Sequence, residues 1–205
     1  MSRHAYWLFG LALLTSAAAQ AAPPGPRDPD WPCQQIKVPE LSLAAVWSGP
    51  AVDTRRTDWQ QDGQVAELAH RLAQRRISAD QAATEIHAFA EQAGTEKQQR
   101  VLALLVGLFN VLNQERESVI AGLDRFGHRQ KELAESLRAD NDKLTAMHQD
   151  SGADPTVTNQ LTQQVTWEMQ VFQDRRQAIG YACDVPAAIE QRLFALARTI
   201  QQVVE

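Results

Sequence analysis

The sequence predicts an all-α fold: a small four-helix body extended into a long antiparallel coiled-coil hairpin, with an extended Pro/Trp-rich N-terminal arm. Three observations point to it. Helix formers such as Ala, Leu, Gln, Glu and Arg fill the chain after residue 60, while Val and Ile nowhere alternate cleanly with polar residues as in a half-buried strand. Between Thr95 and Asp150 there is no proline, and apolar residues recur in steps of three and four at 102, 105, 109, 112, 119, 123, 126, 133, 137, 144 and 147. Only Arg116, Gln130 and Asp140 break this seam, and a seven-residue period held over about six heptads marks helices wound around each other. One helix over this span is about 80 Å long. Finally, Pro23, Pro24, Pro26, Pro29, Pro32, Pro39 and Pro50 cluster before residue 57, where locked φ and missing amide donors exclude a helix interior.

The first 21 residues read as a signal peptide. Arg3 supplies a short basic region, Ala5 to Leu14 an apolar core too short to span a bilayer, and Ala19-Gln20-Ala21 a small-x-small cleavage site. No later window approaches 18 unbroken apolar residues, so no transmembrane segment is expected after signal cleavage. Cleavage would remove Arg3 and no acid, leaving 20 − 1 = 19 basic against 25 acidic residues, a net charge of −6. That balance disfavours nucleic acid. The expected location is periplasmic or secreted, where Cys33 and Cys183, the two cysteines of the chain, would form a disulfide. Such a bridge contributes roughly 4 kcal/mol in the chain-entropy picture.

Residues 22–30 read as a disordered linker and residues 31–56 as an extended arm packed on the helices, with Trp31 and Trp47 as anchors and Cys33 tied covalently. The helical domain then occupies residues 57–205. Thr57-Asp58-Trp59-Gln60, Ser78-Ala79-Asp80-Gln81 and Thr95-Glu96-Lys97-Gln98 each have the capping-box pattern that opens a helix. The first helix is expected from about Gln64 to Arg76, although Asp62-Gly63 interrupts its start, the second to about Ala93, and the third is the long one. Ser151-Gly152 stops it, Asp154-Pro155 starts the return, and Val185-Pro186 breaks the return from a last helix over about Ala187 to Val204.

A hairpin folded near residue 152 places residue i level with about 305 − i. Gly122, Gly127, Gly180, Ala121 and Ala182 then gather near Cys183, where small residues would let the arm cross. The run VLALLVGLFNVL at 101–112 is apolar nearly all round and requires several covering helices. From about 128 to 172 each helix has only a narrow stripe, which predicts a projecting hairpin tip.

No nucleotide-binding, nucleophile-elbow, haem or C-x-x-C motif is present, so an enzyme is the less favoured expectation and no cofactor is predicted. The one candidate metal set is Glu67, His70 and Glu85. The E-x-x-H spacing puts two ligands on one helix face, as in one half of a di-iron bundle, and the turn near residue 77 brings the third across. Ser78-Ala79-Asp80-Gln81 is similar to the Thr-x-x-Gln repeats of small helical periplasmic chaperones. A capping box accounts for it equally, and no family is claimed. The expected function is therefore a non-enzymatic interaction or adaptor protein. It would use the hairpin as docking surface, through Leu133, Leu137, Leu144 and Trp167, toward a protein partner or a second copy. The alternatives are a metal- or small-ligand-binding bundle and a holdase-type chaperone.

Overall fold

The computed structural model describes residues 28–54 and 57–205. The expected signal peptide and residues 22–27 of the expected linker lie outside the described residues. Among the described residues the regular structure is helical throughout. It comprises α1 (Leu43–Val46), α2 (Gly63–Ala73), α3 (Ala79–Gln92), α4 (Lys97–Gln149), α5 (Pro155–Cys183) and α6 (Val185–Val204), with a turn of 3-10 helix at Gly94–Glu96. The 53 residues of α4 make one rod, shared by the body and the hairpin.

Local chemistry sets the starts. The Ser78 hydroxyl accepts from the Gln81 amide while the Gln81 side chain accepts from the Ser78 N–H, closing the predicted capping box of α3. Asp154 accepts from the Thr156 N–H at 2.7 Å and opens α5, with Pro155 in the first turn.

Two other starts differ from expectation. Thr57-Asp58-Trp59-Gln60 opens no helix, because Asp58 turns its carboxylate onto the Gln60 N–H and the Gln61 side chain. Asp62, expected to interrupt the helix, is the cap itself, accepting from the Gln64 and Val65 amides. Thr95 caps nothing: Gly94 adopts φ +53°, the next turn tightens to 3-10, and α4 begins at Lys97 without a side-chain cap. The break between α5 and α6 falls at Asp184, and Pro186 sits in the first turn of α6, where its missing N–H leaves no helical bond unmade.

The core lies where the apolar run of α4 is enclosed. Val101, Leu104, Leu105, Val106 and Leu108 are fully buried, covered by α2, α3 and α6. A Cβ on Gly107 would stand 2.9 Å from the Trp59 ring and 3.0 Å from the Ala69 Cβ, so α2 and the segment before it approach α4 closely there. This is the expected four-helix body, each fully buried leucine contributing about 1.5–3 kcal/mol.

Beyond it α4 and α5 form the expected hairpin around a second, smaller core. Leu137, Leu161 and Val165 are buried there, flanked by Leu133, Leu144, Met147 and Phe172. The Gln130 side chain donates to the Phe172 carbonyl at 2.9 Å. Those two positions sum to 130 + 172 = 302, close to the predicted register. The polar seam residue is thus a cross-hairpin fastener rather than a defect.

Candidate functional site

The arm braces the base of the hairpin. Cys33 is bonded to Cys183, the last residue of α5, with Cα atoms 5.6 Å apart. Fastening begins earlier than expected: Asp28 and Asp30, assigned to the linker, bond to Lys37 at 2.6 Å and to His128 at 3.2 Å. The crossing lies at Gly127, where a Cβ would run into the Asp30 carbonyl. Gly122 and Gly180 meet no arm atom within 4 Å. Of the small residues expected at the crossing, Gly127 is therefore the one whose missing side chain the arm exploits.

Lys37 bridges Asp28 and Asp124, at 2.6 and 2.9 Å, and stands over the Trp31 ring. The hydrogen bond that Lys37 donates to Asp28, followed by that to Asp124, holds its ammonium above the ordinary lysine range, and Asp28 is lowered in turn by its bond to Lys37. Gln35 donates to Asp184, and Ser48 to Gln201.

The most deeply buried fastening passes through Arg116, the first polar break of the seam. Its side chain is 1% exposed, its Nε donates to Glu190 at 2.6 Å, and its Nη atoms donate to the Val38 and Pro39 carbonyls of the arm. A cation at a seam position is costly to bury unless every donor finds an acceptor, and here α6 and the arm supply them. Its spacing exposed Arg116 as an anomaly. Its acceptors, 74 to 78 residues away, had no sequence signal.

Of the expected anchors, Trp31 and Trp47 are half-buried. Their indole N–H groups bond within the arm, to the Gln35 and Pro50 carbonyls, and Trp47 also packs on the body core. The deeply buried tryptophan is Trp59, whose ring lies 5.7 Å from that of His70.

Glu67, His70 and Glu85 do not form a metal site. Arg71 sits between the two carboxylates, 3.7 Å from Glu67 and 2.8 Å from Glu85, while His70 lies against Trp59. The helical spacing was read correctly, but the neighbouring arginine satisfies the carboxylates. Among the described residues no group of three His, Cys, Asp or Glu side chains is placed to hold a metal ion.

The expected docking surface divides. Leu137 is 4% exposed and Leu133 and Leu144 are half-buried, all three packed in the seam between α4 and α5. Trp167 is 68% exposed on the outer side of α5, and Val157, Met169 and Tyr181 of the same helix, none of them among the residues expected to dock, are exposed as well. A groove of about 420 Å³ runs between Pro29–Pro32 and the hairpin, lined by Phe126, Phe172, Ile179, Lys131, Arg138 and Arg176.

No family model, no curated protein and no solved structure matches this chain.

Proposed function

We propose that this chain is an exported, non-enzymatic interaction protein that presents its α4–α5 hairpin as a docking surface. One observation carries the reading. The hairpin is braced at its base by a covalent bond and a buried ion pair, yet the outer side of α5 leaves Trp167 in water. An exposed large aromatic on a braced helix supplies contact area at low entropic cost, as binding surfaces do. The disulfide supports an oxidising compartment. Among the described residues no helix is long and apolar enough to cross a membrane.

The test is affinity capture of a partner with the intact protein, run beside Trp167→Ala and a variant whose tip, residues 135–170, is replaced by a short turn. The expected result is a partner held by the parent and lost by both variants. Equal capture by the shortened chain would remove the hairpin from the function.

A further inference from the structure

The outer side of α5 carries a second stripe at heptad spacing. Of the eight steps 158, 161, 165, 168, 172, 175, 179 and 182, all but Arg175 are buried or half-buried, forming the face that α5 turns toward α4. One residue before each step runs 157, 160, 164, 167, 171, 174, 178 and 181, rotated by about 100° from the first stripe. In this second stripe Val157, Trp167 and Tyr181 are 45%, 68% and 78% exposed. Between Pro155 and Gln173 the helix has a single charged residue, Glu168, whereas α4 has eight between His128 and Gln149. Loss of charge together with exposed aromatics marks the core of a protein interface rather than a solvated face.

We infer that this stripe packs on the same stripe of a second copy of the chain, antiparallel, about a two-fold axis near residue 169. The inference rests on reading the hairpin as a docking surface, and names its occupant. The stripe is self-complementary when residue i meets residue 338 − i. Val157 then meets Tyr181, Trp167 meets Val171, Gln160 meets Ala178, and the Gln164 amide, which within α5 donates to Glu168, faces the Asp174 carboxylate, which accepts from Gln170 and keeps its second oxygen for the new contact. Each aromatic lies against a valine and no charge faces its like. Arg175 and Arg176 fall beside Gln163 and Thr162 of the second copy, away from their own mates.

A parallel pairing in register would set Asp174 on Asp174, so the charge pattern selects the antiparallel arrangement. The length also suffices. A strip about 40 Å long and one helix wide, about 10 Å, gives roughly 400 Å² of footprint per copy, about 800 Å² in all, which places the contact among weak, transient interfaces rather than permanent ones. A weak, reversible dimer is therefore expected.

The experiment is sedimentation velocity on the purified full chain with its disulfide intact, across a dilution series, beside four variants. The expected parent is a dimer at the top of the series that dissociates on dilution. Trp167→Glu should weaken the dimer by about tenfold or more, because an interface aromatic is replaced by a charge. Gln164→Glu, which sets a carboxylate against Asp174 of the second copy, should weaken it as well. Gln164→Lys should tighten it, and the double variant Gln164→Glu with Asp174→Lys should restore the parental constant. Unchanged thermal melts by circular dichroism at low concentration confirm that each variant is folded.

A chain that stays monomeric up to about 200 µM overturns the inference, since even a small specific interface would associate there. A dimer indifferent to Trp167→Glu, or a double variant that fails to recover, also overturns it. A monomer that captures a different protein through Trp167 refutes self-association and leaves the docking role standing. A dimer with the expected variant pattern that captures no other protein supports the inference and counts against the adaptor role.

Discussion

Replacing Arg116 with methionine preserves most of the volume at a fully buried position and removes three hydrogen bonds, one to Glu190 and two to the arm. Hydrogen bonds to a charged group contribute about 1.5–3 kcal/mol each, but the loss is smaller than three times that. The Glu190 side chain is 33% exposed and regains water, as do the carbonyls of the exposed Val38 and Pro39, and the Pro39 bond is long at 3.4 Å. The net cost should be about 3 kcal/mol, the lower end for breaking a buried pair. Glu190→Gln, which keeps an acceptor beside the guanidinium, should cost about 1 kcal/mol. Urea unfolding gives the global number, and trypsin cleavage after Lys37, in the segment that Arg116 holds, reports the arm. Arg116→Met should be cut at least about tenfold faster than the parent, in line with the lost anchoring energy. A variant within about 0.5 kcal/mol of the parent and equally resistant to trypsin would refute the reasoning, because the disulfide and Lys37 would then hold the arm unaided.

Other perturbations separate the remaining parts of the molecule. Leu137→Ala should cost about 2–3 kcal/mol and release amide-exchange protection in the hairpin tip, with the body amides unaffected, because the hairpin core is distinct from that of the body. Gly127→Ala should push Asp30 and Pro32 off α4 at a cost of about 1–3 kcal/mol, because the added Cβ meets backbone rather than a flexible side chain, read as easier acrylamide quenching of Trp31. Asp62 is held below the ordinary carboxylate range, first by its bond to Arg100. Its contribution is therefore present above the unfolded pKa and lost as pH falls through the lower folded value. Asp62→Asn should flatten the acid limb of the stability curve and, as the carboxylate also caps α2, cost about 1 kcal/mol at neutral pH.

Periodicity and composition made the long rod, the hairpin and the covalently tied arm legible before any coordinates. The Ser78 and Asp154 caps were legible too, since each is satisfied by residues within three positions. What escaped was decided by competition at short range or by partners far off in sequence. Thr57 and Thr95 carried the right pattern, but Asp58 folded onto its own neighbours and Gly94 turned the chain first. Glu67, His70 and Glu85 had ligand spacing, and Arg71, one residue from His70, took the carboxylates. Leu133, Leu137 and Leu144 lie on the expected seam and pack between α4 and α5, a placement that periodicity alone does not distinguish from an open stripe. Trp167 carried a signal in the sparse charge of α5, visible only once the inner face of that helix was assigned.

The arm precedes the helices that hold it, and its placement is completed late. Its fastenings to Cys183, Asp184 and Gln201 lie in residues 183–205, and the Arg116 clamp on the arm carbonyls is incomplete until Glu190 exists. Until Cys183 exists Cys33 has no partner, and the chain carries an unpaired thiol on its arm. With two cysteines in the sequence no wrong bridge can form within one molecule, so closure of Cys33 onto Cys183 is a chemical record that synthesis has passed residue 183. A product that stops before Cys183 is left with a thiol free to join another chain, a marker by which such molecules can be sorted from bridged ones.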